Sequence, residues 1–98
     1  MIQGRVLSVL RTTPRTRHLQ LQLERPFTFR AGQAVFASLA GTDARAAYSI
    51  ASPPSLGREG RLNLLVTADG AFGVSGMAPE DVQGRPVVIT GPLGQFGV

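Results

Sequence analysis

Cysteine is absent from all 98 residues of this chain, lysine is absent, and histidine occurs once. Without thiols there is no disulfide scaffold, no thiolate metal site, no iron–sulfur ligation and no cysteine nucleophile. A lone imidazole does not assemble a typical zinc site. Charged residues are only 16% of the chain, and no apolar run approaches the ~20 residues that a membrane-crossing helix needs. Met1 leads directly into an alternating pattern instead of a signal-peptide apolar stretch, so a soluble cytoplasmic protein is the expectation.

What is present suits a small folded unit. Hydrophobic residues make up 43%, a globular composition, and 98 residues leave room for one domain, 1–98, with one core. All ten basic residues are arginine, against six acids, giving a net charge of +4. Residues 1–40 hold six arginines and one acid, whereas residues 41–98 hold four arginines and five acids. That asymmetry points to an anion-binding face, whether the anion is nucleic acid, a dinucleotide or an acidic partner.

Period-two patterning dominates. Residues 2–12 read as a strand, and residues 16–24 alternate Leu19, Leu21 and Leu23 with His18, Gln20, Gln22 and Glu24. Thr13-Pro14 turns the first strand into the second. Further strands are expected at 34–39, 48–52, 62–67 and 87–89, with Pro53-Pro54 closing the fourth and 56–60 forming a turn. Residues 73–78 are expected to form a short helix, with Ser75 as its N-cap and Pro79 behind it. Twelve glycines and seven prolines in the connections support an all-β fold, a six-stranded antiparallel Greek-key barrel with one short helix. Phe27, Phe29 and Phe36 fall in segments that need core residues.

Three clusters could carry chemistry. The stretch 45–53 sets Tyr48, the single tyrosine, beside Ser49 and Ser52 on a strand of small residues, where a flat ligand finds a stacking face and hydrogen-bonding hydroxyls. The glycine-rich stretch 69–76 runs into the expected helix, whose free N–H groups and dipole would favour phosphate. The third is the tight turn Gly91-Pro92-Leu93-Gly94-Gln95-Phe96. His18, on the polar face of the second strand, and the group Arg11, Arg15 and Arg17 at the hairpin end read as solvated surface. Glu59, Glu80 and Asp81 have no histidine close in sequence, so no triad or paired-carboxylate site can be assembled.

Taken in order, these motifs resemble the FAD-binding β-barrel domain of the ferredoxin reductase-type oxidoreductases. That family's Arg-x-Tyr-Ser signature resembles Ala46-Ala47-Tyr48-Ser49, and its Pro-Gly-Gln turn resembles Ala31-Gly32-Gln33. Its Gly-x-x-Ser phosphate segment resembles Phe72-Gly73-Val74-Ser75, and its Gly-Pro-x-Gly-x-Phe end resembles residues 91–96. The resemblance implies that Arg45, Tyr48, Ser49, Ile50, Gly73, Val74 and Ser75 bind the cofactor. Tyr48 would pack on the isoalloxazine ring, Ser49 would hydrogen-bond its N5 and O4 edge, and Gly73, Val74 and Ser75 would hold the pyrophosphate. Ala46 stands where the family has arginine, with Arg45 as the nearest guanidinium, and Phe72 stands at the first glycine, so FMN is an alternative to FAD.

The resemblance implies an NAD(P)H-dependent oxidoreductase that passes electrons through FAD to a partner such as an iron–sulfur protein or oxygenase. The nicotinamide-binding domain of such enzymes is expected in a further part of the protein or a separate chain, because no βαβ pattern or Rossmann-type glycine fingerprint occurs here. The 98 residues alone are not expected to turn over. Two other classes fit a small basic barrel: an OB-like binder of single-stranded nucleic acid, and a module used only for protein interaction.

Overall fold

The computed structural model describes residues 1–41, 45–67, 70–71, 74–75 and 79–93. Eight strands occur among them: β1 (Ile2–Thr13), β2 (Thr16–Leu23), β3 (Ala34–Leu39), β4 (Ala46–Ser49), β5 (Arg61–Thr67), β6 (Gly70–Ala71), β7 (Val74–Ser75) and β8 (Pro86–Thr90). Six of them form one antiparallel sheet in the order β4-β3-β8-β1-β2-β5, and β6 pairs with β7 alone. The sheet curls until its two edges meet at a single bridge between Ile50 and Leu64. The bridge includes the donation from Ala51 N–H to the Asn63 carbonyl at 2.8 Å, and Asn63 N–H adds a further tie by donating to Ser52 Oγ at 3.0 Å. The expected all-β architecture is therefore present as a barrel-like sheet whose edges meet, among the described residues, at this seam.

Alternation explains the core. Along β2, every second residue from Arg17 to Leu23 is buried, and the same period places Leu62, Leu64 and Val66 of β5 inside. These pack with Val6, Val35, Leu39, Val87 and Ile89 into one cluster that Phe27 and Phe29 close from the loop between β2 and β3. Burying a large aliphatic side chain contributes about 1.5–3 kcal/mol, so this interior row is the main source of stability. Phe36 departs from the expectation: its place in β3 puts it on the outer row, where it is only half-buried.

Three local expectations are corrected. The fourth strand starts two residues earlier than predicted, at Ala46, because Ala46 and Ala47 pair with Ala37 and Phe36. Residues 54–58 form a helix, α1 (Pro54–Arg58), where a turn was expected. Pro54, at its first helical position, fixes φ for helix entry and gives up no needed N–H. Gly60, with φ +76°, ends the excursion in a conformation that L side chains rarely adopt. Finally, Val74 and Ser75 are strand and not helix: β-branched Val74 pairs with Ala71, and Ser75 with Gly70. The helical element comes later, as a 3-10 turn over Pro79–Val82. Pro79 begins it, as suits a residue without an N–H.

Candidate functional site

Ala34 is the point at which the motifs meet. On β3 it lies in register with Ser49 of β4, and its carbonyl accepts a hydrogen bond from Leu93 N–H at 2.8 Å. One residue earlier, the Gln33 carbonyl accepts from Ile50 N–H at 3.1 Å, while Gln33 Oε1 accepts from Arg30 N–H at 2.7 Å and closes the 30–33 turn. The turn at 31–33 is thus fastened to Ile50 directly, and the turn at 91–93 to Ala34, the register partner of Ser49. Within that third motif, residues 94–96 lie outside the described residues.

Alternation along β4 divides the predicted site residues between two faces. Tyr48 is opposite Val35, and both Tyr48 and Ile50 are half-buried and packed against the core. Ser49, Ala47 and Arg45 are exposed on the other side. The Arg45 guanidinium stacks over the Phe36 ring at 4.5 Å from its centroid, which fixes the cation on the outer row together with Ser49. A guanidinium held over an aromatic face in this way is attracted by the ring's negative π face. Ala46 lies in register with Ala37 on the inner row, so the arginine of the family signature has no counterpart on that face.

The second cluster sits at a definable end of the barrel. Because the Ile50–Leu64 bridge is antiparallel, β4 runs from Ile50 back through Tyr48 toward Arg45 as β5 runs from Leu64 toward Thr67. The paired strands β6 and β7 follow β5 at that same end, and β6 touches the 3-10 turn. Gly73 lies outside the described residues; Val74 and Ser75 are in β7. Of the segment expected to be helical, Val74 and Ser75 are paired strand, while residues 76–78 lie outside the described residues.

Arg17 and Glu80 form a feature that the sequence reading passed over. Arg17 continues the buried row of Leu19, Leu21 and Leu23, and its side chain is only 9% exposed. Its Nε donates to Glu80 Oε1, and its Nη1 donates to the carbonyls of Thr13 at 3.1 Å and Thr16 at 3.2 Å. The reading of this group as a solvated hairpin end is corrected for Arg17: its charge is neutralised inside the barrel end. The hydrogen bond from Arg17 holds the Glu80 carboxyl below its ordinary value of 4.5, aided by a main-chain hydrogen bond and the nearby charges of Arg17 and Arg11. His18 is also less solvated than expected: half-buried, it lies in register with Leu10 and Leu65, and Nε2 has no hydrogen-bond partner among the described residues.

Elsewhere the surface is less suggestive. A shallow groove of about 390 Å³ lined by Gln3, Arg5, Leu7, Gln22 and Glu24 lies at the far end of β1 and β2 from Arg17. Among the described residues no group of three or more His, Asp or Glu could hold a metal ion, and no helix is long and apolar enough to cross a membrane.

No protein-family model matches the chain. The reductase component DmpP of phenol 2-monooxygenase from Pseudomonas sp. (strain CF600) is 35% identical over 97 residues, which is 98% of this chain. The phenol hydroxylase P5 protein of Acinetobacter pittii (strain PHEA-2) is 30% identical over the same share. The chain spans only 27% of the length of each of these curated relatives. Among solved structures, the Amycolatopsis cytochrome P-450 reductase GcoB superposes with a TM-score of 0.80 at 32% identity, covering 99% of this chain and 29% of that one. The ferredoxin reductase in carbazole 1,9a-dioxygenase is alike in fold, with a TM-score of 0.78 at 22% identity over 95% of this chain and 28% of its own.

Proposed function

We propose that this chain, which belongs to the FAD-binding ferredoxin reductase-type domains, holds FAD for an NAD(P)H-dependent reductase that delivers electrons to an oxygenase or an iron–sulfur protein. The observation that carries this reading is the convergence at Ala34, where the turns at 31–33 and 91–93 are both fastened beside Tyr48 and Ser49. Two reductases at 35% and 32% identity across nearly the whole chain support it.

The residues present fit a flavin. Tyr48 and Ser49 alternate to opposite faces, so a planar group that meets both must lie across the edge of β4 and not flat on either face. β4 ends the sheet order, and beyond the bridge at Ile50 no ladder covers its outer edge among the described residues. There the half-buried Tyr48 ring offers a stacking surface, and Ser49 offers a hydroxyl to the polar rim of the ring system. Ile50 supplies an apolar wall. Arg45, held on Phe36, and the main chain of Gly73, Val74 and Ser75 would take the diphosphate. When bound, FAD supplies the chemistry of hydride acceptance and stepwise electron release. The chain's own contribution is to orient the ring, pair its hydrogen-bonding edge and keep water from one side. FMN, with one phosphate, would leave part of that anion contact unused. The nicotinamide nucleotide would be bound by a further domain, joined to this one or assembled with it.

Titrating the purified chain into FAD, FMN and riboflavin while following flavin fluorescence tests the reading. Saturable quenching is expected, tightest for FAD. Equal and negligible quenching of all three, with salt-dependent retention on single-stranded DNA, would overturn it.

A further inference from the structure

Arg17 reaches the 3-10 turn from the inside of the barrel, and the turn in turn reaches the hairpin. Its guanidinium is fixed on one side by the Thr13 and Thr16 carbonyls, so its position is set by the β1–β2 hairpin whatever the turn does. Its Nε N–H donates instead to the Glu80 carboxylate. The 3-10 turn that carries Glu80 contacts both β1 and β6, and Val82 at its end is fully buried in the core. From Arg17 to β6 there is therefore an unbroken sequence of contacts, and β6 is the strand with which Val74 and Ser75 pair. Register places this assembly at the Tyr48 end of the barrel: Arg17 is opposite Val66 on β5, two residues beyond the Leu64 bridge partner of Ile50.

We propose that Arg17 is a positioning residue, whose ion pair with Glu80 holds the 79–82 turn against β6 and so sets the main chain of β7 where a flavin diphosphate can be received. The inference rests on the flavin reading above. It assigns Arg17 no contact with the ligand: the guanidinium acts through Glu80 and two strands. It also gives a reason for burying a cation in a row otherwise occupied by leucine. A simpler barrel end would carry an apolar residue there, and a partly buried ion pair by itself adds little to stability.

The sign of the expected effect separates positioning from electrostatics. Removing a carboxylate near an anion site relieves repulsion and should tighten FAD if charge were all that mattered. If Glu80 positions β7, Glu80→Ala should instead weaken FAD by about threefold or more while leaving riboflavin, which has no phosphate, unchanged. Glu80→Gln keeps an oxygen acceptor for Arg17 Nε and should recover part of the loss. Fluorescence titration of the 98-residue chain with both ligands reads this directly, and amide exchange in the absence of ligand provides a second measure. Faster exchange confined to the amides of Gly70, Ala71, Val74 and Ser75 and of residues 80–82 in Glu80→Ala is expected. FAD binding that is unchanged or tighter, parallel loss of FAD and riboflavin, or exchange unchanged at β6 and β7 would each overturn the inference while the flavin reading stands. A parent chain that binds neither ligand would remove both.

Discussion

Tyr48 is the residue on which the ligand geometry turns, because it is packed against the core on one side and half-exposed on the other. Replacing it with alanine removes a stacking face worth about 1 kcal/mol or more to a bound aromatic. Tyr48→Ala is therefore expected to raise the FAD dissociation constant at least about fivefold. Circular dichroism should still report a folded barrel; an unchanged constant would count against a ring lying across β4. At this scale the sequence was unevenly informative. Tyr48 and Ser49 stand out as candidates because a known motif singles them out. Arg17 could have been found by extending the Leu19-Leu21-Leu23 row back by two, since period two makes it inward-facing. Its charge argued for solvent, and the partner that makes burial tolerable lies 63 positions away. Phe36 misled in the opposite direction: an aromatic in a core strand reads as core, but alternation turns it outward, where Arg45 covers it.

Among the elements, α1 is the clearest case of tertiary fit that local patterning does not disclose. Gly57 sits where an added Cβ would lie 2.2 Å from the Phe27 carbonyl oxygen and 2.8 Å from the Phe29 ring, so the helix can dock only without a side chain there. Phe27 N–H donates to the Gly57 carbonyl at 2.8 Å, fastening the same contact. Gly57→Ala is expected to lower stability by about 1–3 kcal/mol, measured by chemical denaturation, as α1 is forced off residues 27–29. The 3-10 turn carries a prediction in pH. A carboxyl depressed in the folded state contributes stability that is complete above its unfolded value and is lost as pH falls through the folded value. Glu80 is depressed, first by its hydrogen bond from Arg17. The parent chain should therefore melt above Glu80→Gln at about pH 7, and the gap should shrink below about pH 5 as the carboxyl protonates. A gap that stays constant across this range would show that the pair adds no stability. Strand β7 was mistaken for helix because Ser75 followed by Pro79 looks like a capped short turn; a two-residue strand leaves no period to detect.

For the molecule as a whole, the all-β class and five of the six main strands were legible to within a residue or so, since β2 alternates clearly and the others are apolar or β-branched runs punctuated by turn residues. The remaining strand, β4, is four residues with only small side chains beside Tyr48, too short and too weakly amphipathic to mark its own start. Closure was not legible in detail, because it depends on how far the sheet curls. It rests on Ile50, Ala51 and Ser52 against Asn63 and Leu64. Ser52→Ala leaves the Asn63 N–H without its acceptor and should cost about 1–2 kcal/mol in denaturation, with faster exchange of that amide. Exchange at Asn63 identical to the parent would show that the hydroxyl is not a tie. A hoop riveted at one spot gives way at the rivet, so gentle warming should part the cylinder there before the rest of its wall loosens. The cofactor would clasp the same lips from outside. Its main thermal signature would then be a later onset of that early gaping, with a smaller effect on the temperature of final collapse.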